Sequence, residues 1–185
     1  MEIKKGDVVL IHSTNIMGRL IHLGMNIDRL RRFKFKPLWK KIYNHAAIAV
    51  EDNILAEAID KGVVIRSYQD AYGPGTKHKV KHILIYRPKW NKDELDIVHC
   101  SANQYRGVKY QFTNFIQYVP KIFFGIWLGK THVSAEDRLY CSEYVALVMN
   151  KISHNRLFKK YWRTSPADVH EWCEKNCTYI GEIKF

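Results

Sequence analysis

Residues 44–66 constrain the fold most. Asn44-His45-Ala46-Ala47-Ile48-Ala49-Val50 is an apolar run of small side chains, followed by the turn-forming Glu51-Asp52-Asn53. A second apolar run spans 54–59, and a third follows at Gly62-Val63-Val64-Ile65-Arg66. Three short strands joined by tight turns predict an antiparallel meander. The small side chains of the first strand let the backbone of another element come close. Two polar residues interrupt the apolar pattern, His45 in the first strand and Glu57 in the second. A polar group in such a strand costs free energy unless it is paired. With one short turn between their strands, the two can be cross-strand neighbours.

A helix is expected to begin near residue 141. Tyr144, Val145, Leu147 and Val148 recur at the spacing of one apolar helical face. Cys141 falls in the first turn with Glu143, and Lys151 lies near the end, as the helix dipole prefers. A thiol at a helix N-terminus meets positive partial charge and free backbone N–H groups. Both favour thiolate, the form that attacks a carbonyl carbon. The same N–H groups can hold the oxyanion that results. Cysteine is also among the most buried residue types, so a plain core role stays open for Cys141.

The chain has 185 residues, 46% hydrophobic and 26% charged. That is enough for a single domain over 1–185 that folds without metals or disulfides. Cys100, Cys141, Cys173 and Cys177 show no paired framework, so reduced thiols are expected. Residues 1–7 lack the apolar core and cleavage site of a secretory signal. The longest apolar candidate for a membrane span, 112–128, is broken by Asn114, Gln117, Pro120 and Lys121. A cytoplasmic location is the expectation. The net charge of +12 suggests an anionic partner, whether nucleic acid, membrane surface or cell-wall polymer, or simply serves solubility.

The remaining elements follow from periodicity and capping. A buried strand is expected at 7–12 after a Gly6-Asp7 turn, and a helix at 14–30. Seven of the thirteen residues 29–41 are basic, mixed with Phe33, Phe35 and Trp39, and form either a solvated loop or a phosphate-binding patch. Tyr72-Gly73-Pro74-Gly75 is a loop, and 80–87 a strand stopped by Pro88. A helix is expected over 92–105 with Gly107 as its C-cap. The aromatic segment 112–128 is either core or an apolar wall beside a site. Ser165-Pro166-Ala167-Asp168 has the form of a capping box opening a helix that runs to about Glu174, and 179–185 is a last strand.

Three functional classes compete. In a cysteine hydrolase Cys141 attacks, His45 moves the proton, and Glu57 fixes the imidazole. In a metal site, His170, Cys173 and Cys177 would be the ligands; structural zinc wants four in paired spacings, and no second pair is present. In a nucleic-acid binder, charge and interleaved aromatics would act, yet no Walker loop, zinc-finger spacing or aromatic strand pair of the RNP kind appears. Specific nucleic-acid recognition is therefore not expected.

The order of the motifs resembles the permuted papain-like cysteine hydrolases of the NlpC-type superfamily, in particular the YiiX/YebB-like group. Gly6-Asp7 before an apolar strand, Asn44-His45-Ala46-Ala47-Ile48-Ala49-Val50, Ala56-Glu57-Ala58 with Gly62-Val63-Val64, Gly107-Val108-Lys109-Tyr110, Tyr140-Cys141-Ser142-Glu143 and Thr164-Ser165-Pro166-Ala167-Asp168 occur in the family's order. His45 precedes Cys141, the mark of the permuted branch. The resemblance implies an α+β fold, a mostly antiparallel sheet packed against helices that include the nucleophile helix. It implies Cys141 as nucleophile, His45 as base, Glu57 as the orienting acid and Tyr140 beside the oxyanion site, with no cofactor and no metal. It implies peptidase- or amidase-like hydrolysis of an amide or related acyl bond through an acyl-thioester. Cell-wall peptides and lipid-linked amides are the substrate classes it brings. The segments 29–41 and 112–128 depart from the family pattern; the first could meet an anionic polymer or membrane surface. The alternative is a basic module on the same fold that binds without turnover.

Overall fold

A computed structural model describes residues 2–14, 43–76, 80–110, 138–154, 157–158 and 161–185. Apart from Thr14, the helix expected at 14–30 lies outside the described residues, as do the basic segment 29–41 and the aromatic segment 112–128.

The described chain is α+β. In order it forms β1 (Val8–Ser13), β2 (His45–Glu51), β3 (Ile54–Ile59), β4 (Gly62–Ser67), α1 (Tyr68–Tyr72), β5 (Val80–Pro88), α2 (Lys92–Asn103), β6 (Lys109–Tyr110), β7 (Arg138–Leu139), α3 (Cys141–Ile152), a 3₁₀ turn (Tyr161–Arg163), α4 (Pro166–Asn176) and β8 (Cys177–Lys184). Six strands make one sheet in the order β4-β3-β2-β1-β5-β8, every neighbour antiparallel. The expected meander is β2-β3-β4. No described helix is long and apolar enough to cross a membrane.

Alternation along the strands gives the sheet two apolar faces. Val8, Leu10, Ala46, Ile48, Ala56 and Leu84 pack with Val98 and Ala102 of α2, Val145, Val148 and Met149 of α3, and Val169 and Cys173 of α4. On the opposite face Val9, Ile11, Ala47, Ala49, Leu55, Ile83 and Ile85 pack with Ile3, Ala71 and Tyr72. In α3 only Asn150 and Lys151 escape burial, so this helix is enclosed on nearly every side. The Tyr144 hydroxyl, buried with it, donates to the Ala102 carbonyl at 3.2 Å.

Polar locks hold the frame. Fully buried Asp7 accepts a two-pronged bond from Arg87 at 2.7 and 2.8 Å and the Lys4 N–H at 2.8 Å. The Asn44 side chain accepts from Ser13 N–H at 2.8 Å and donates to Ser13 C=O at 2.7 Å, so the end of β1 is clamped to the residue before His45. Ser165 caps α4 with a reciprocal Asp168 bond, and Pro166 opens the helix, as the capping-box motif predicts.

Two expectations change. Gly107 is not the C-cap of α2: the helix ends at Asn103 with Gln104 as cap. Gly107, at φ +81°, instead turns the chain so that its N–H reaches the Val63 carbonyl at 2.9 Å, while Val63 N–H reaches Val108 C=O at 2.8 Å. This closes the outer edge of β4. Tyr72 belongs to a short helix rather than a loop, because Ser67 caps it by accepting the Asp70 N–H.

Candidate active site

Glu57 lies in the middle of β3 and is fully buried. His45 opens β2, its side chain 18% exposed. The register that pairs Ile48 with Ala56 runs on to set Glu57 opposite Ala47, two residues from His45 on the same face. Nε2 of His45 stands 2.6 Å from Oε2 of Glu57, which leaves Nδ1 for Cys141, and the imidazole and the thiol are hydrogen-bonded. Cys141 begins α3 and is 3% exposed. The three residues singled out from sequence therefore meet at one place.

The charges reinforce one another. Burial alone would raise the Cys141 thiol; the imidazolium of His45, with backbone amides of Ala46 and Ser142, outweighs it and draws the thiol down. Burial alone would lower His45; Cys141 and Glu57 overcome it and lift the imidazole from 6.5 to about 10. Burial would raise Glu57 too, yet His45, Arg66 and Tyr72 bring it from 4.5 down to about 2. The geometry favours an ion pair of thiolate and imidazolium, backed by a carboxylate. Tyr140, the N-cap of α3, contributes no side-chain cap. Its hydroxyl donates to the Trp162 carbonyl at 3.1 Å, and Ser142 Oγ donates to Thr164 C=O at 2.7 Å. Two ties thus fix the head of the helix.

Three neighbours escaped the sequence reading of the site. Arg66 Nε donates to Glu57 Oε1 at 2.8 Å, and the Tyr72 hydroxyl donates to Oε2 at 2.5 Å. Glu57 pairs in register with Val64, so Arg66, two residues further on, shares its face; the tight turn before Gly62 was the signal that could have found it. Tyr110 pairs with Leu139 just ahead of Cys141, and after burial the Cys141 charge is the main influence holding its phenol neutral. Glu143 has a different fate. Burial lifts its carboxyl to about 8, the Tyr140 N–H opposes that, and among the described residues Oε2 has no hydrogen-bond partner.

The His170, Cys173 and Cys177 set does not assemble as ligands. His170 Nε2 meets the Tyr86 hydroxyl at 3.1 Å, and Cys173 and Cys177 hydrogen-bond each other as free thiols. Among the described residues no group of three or more His, Cys, Asp and Glu side chains is placed to hold a metal ion.

Fold and site together define an α+β protein of permuted papain-like architecture, in which the histidine strand precedes the cysteine helix. It superposes on the crystal structure of metalloprotein yiiX from Escherichia coli O157:H7, of the DUF1105 group, with a TM-score of 0.52 and 15% identity over 98% of each chain. At that identity the likeness shows a YiiX-like fold. No family model and no curated protein matches the chain.

Proposed function

We propose that this chain is a cysteine hydrolase, peptidase- or amidase-like, that cleaves an amide or related acyl bond. The observation that carries the reading is the buried contact of Cys141 with His45, itself 2.6 Å from Glu57. The Cys141 thiolate adds to the carbonyl carbon, and the carbonyl electron pair moves to oxygen, where amides at the head of α3 hold it. Collapse expels the amine, which takes the proton from His45. His45 then draws a proton from water, whose oxygen attacks the thioester and releases the acid and the thiolate. Glu57 keeps the imidazole oriented throughout.

The substrate class follows from resemblance: a cell-wall peptide or a lipid-linked amide, with the basic segment 29–41 meeting an anionic polymer or membrane. The described neighbour is called a metalloprotein. No described donor set here fits a metal ion, so no step is routed through one.

A panel of cell-wall peptides and acyl amides, assayed with wild type, Cys141→Ala and His45→Ala, tests the reading. Turnover is expected for wild type alone, with Cys141→Ala folded but inactive and His45→Ala nearly as slow, because members of such a set act as a unit. A Cys141→Ala protein that still turns over sinks the mechanism. Mapping of iodoacetamide adducts adds a readout free of substrate. Fast labelling of Cys141 that His45→Ala abolishes supports the pair; labelling no faster than that of Cys100 favours the non-catalytic basic module.

A further inference from the structure

Four ionisable groups stand in a row through buried ground: Arg66, Glu57, His45 and Cys141. Arg66 Nε donates to Glu57 Oε1 at 2.8 Å, His45 Nε2 lies 2.6 Å from Oε2, and Cys141 hydrogen-bonds His45. Tyr72 closes a triangle behind them. It donates to Oε2 at 2.5 Å, hydrogen-bonds Arg66, and its ring centre lies 5.7 Å from the guanidinium carbon.

With a thiolate and an imidazolium at the far end, the signs alternate and cancel. Without Arg66, the remaining carboxylate, imidazolium and thiolate carry a net negative charge, with Glu57 fully buried and Cys141 nearly so. An uncompensated buried charge is costly, and a proton on sulfur is the simplest relief. Among the described residues, the other groups facing the row do not supply the missing cation. Tyr72 comes from α1, Tyr110 from β6, and Tyr144 and Glu143 from α3, and each is a neutral or acidic group. Among the described residues, Arg66 is the one permanent cation in the set acting most strongly on Glu57.

We propose that Arg66 is a positioning residue for the nucleophile: its fixed charge neutralises Glu57 and so lets the buried Cys141–His45 pair rest as thiolate and imidazolium. Tyr72 holds guanidinium and carboxylate in place. The proposal rests on the cysteine-hydrolase reading, and its test separates the two.

The test is the pH dependence of iodoacetamide labelling at Cys141, resolved by peptide mapping, in the full chain as wild type, Arg66→Gln and Arg66→Lys. Circular dichroism verifies that each is folded. Wild type is expected to label with a midpoint below the ordinary thiol value of about 8.5. Arg66→Gln should raise that midpoint by about one unit or more, slowing labelling about tenfold at pH values below the wild-type midpoint. Arg66→Lys, which keeps the charge, should stay within about threefold of wild type. An unmoved midpoint in Arg66→Gln overturns the assignment and leaves the Cys141–His45 pair standing. Equal shifts in both variants also overturn it, since shape rather than charge would then be what matters. If Arg66→Gln does not fold, Arg66→Lys decides alone: a wild-type profile supports the proposal, and an ordinary-thiol profile overturns it. A wild-type midpoint near 8.5 overturns both the proposal and the hydrolase reading beneath it.

Discussion

Glu57 and Glu143 are two buried carboxyls of one molecule with opposite fates. Glu57 collects donors from His45, Arg66 and Tyr72 and stays ionised. For Glu143 burial is opposed, among the described residues, only by the Tyr140 backbone N–H, and the carboxyl stays protonated until about pH 8. Glu57→Gln removes one of the two charges, beside that of Cys141, that hold His45 as imidazolium. Hydrolysis should fall, though less than in Cys141→Ala or His45→Ala, which kcat measured on the best substrate would check. Harmless substitution would make Glu57 a structural residue. For Glu143 the folded-state value lies above the ordinary 4.5. The unfolded chain therefore loses its proton first, and this residue costs stability as pH rises from 4.5 towards 8. Glu143→Gln keeps an acceptor for the Tyr140 N–H and removes that cost. Its unfolding free energy, from urea titrations at successive pH values, should gain on wild type as pH rises through this window, by an amount on the order of a few kcal/mol at pH 8; a gain independent of pH would refute the account. His45 and Glu57 were legible in the sequence because each breaks an apolar run. Arg66 was not: a charged residue at the end of a strand is the common case, and only the register across the turn gives it a partner.

At the scale of elements, turns and caps were the most readable features. The meander, the start of α3 at Cys141 and the capping box of α4 follow from local chemistry, and the structure repeats them. Ser165→Ala should therefore destabilise the protein by about 1 kcal/mol, measured by urea unfolding, with the labelling rate of Cys141 unchanged. Where long-range contacts decide, local signals fail. Gly107 looked like a helix cap because its left-handed conformation suits one, yet the hydrogen bond to Val63 gives it another place. Gly62 shows the same dependence. A Cβ there would lie 2.5 Å from the Val108 carbonyl oxygen, at φ +104°. Gly62→Ala should shift segment 107–108 or strain β4 and destabilise by more than the roughly 0.4–1 kcal/mol that such a change gains at an unstrained site; unfolding at the wild-type midpoint would refute it.

For the whole molecule, the mostly antiparallel sheet packed against helices was legible from motif order, and the strand order β4-β3-β2-β1-β5-β8 was not. Nothing local tells β1 to enter between β2 and β5; that choice belongs to the burial of both its faces. Charge also acts globally. Because the folded-state value of Glu57 is about 2, below the ordinary 4.5, its contribution is complete above 4.5 and is lost as pH falls towards 2. Acid unfolding should set in within that window and flatten in Glu57→Gln, as thermal midpoints at successive pH values would record.

The chain order has a consequence in time. His45, Glu57, Arg66 and Tyr72 all lie between β2 and α1, on strands joined by short turns, while Cys141 arrives on a helix from the far half of the sequence. During synthesis the N-terminal part emerges first. His45, Glu57 and Arg66 are thus made before Cys141, and on the proposed reading the thiol keeps its ordinary reactivity until α3 docks against the meander. On the cysteine-hydrolase reading, a copy in which α3 has not docked carries an ordinary cysteine, so an activated thiol would mark the fully folded molecule.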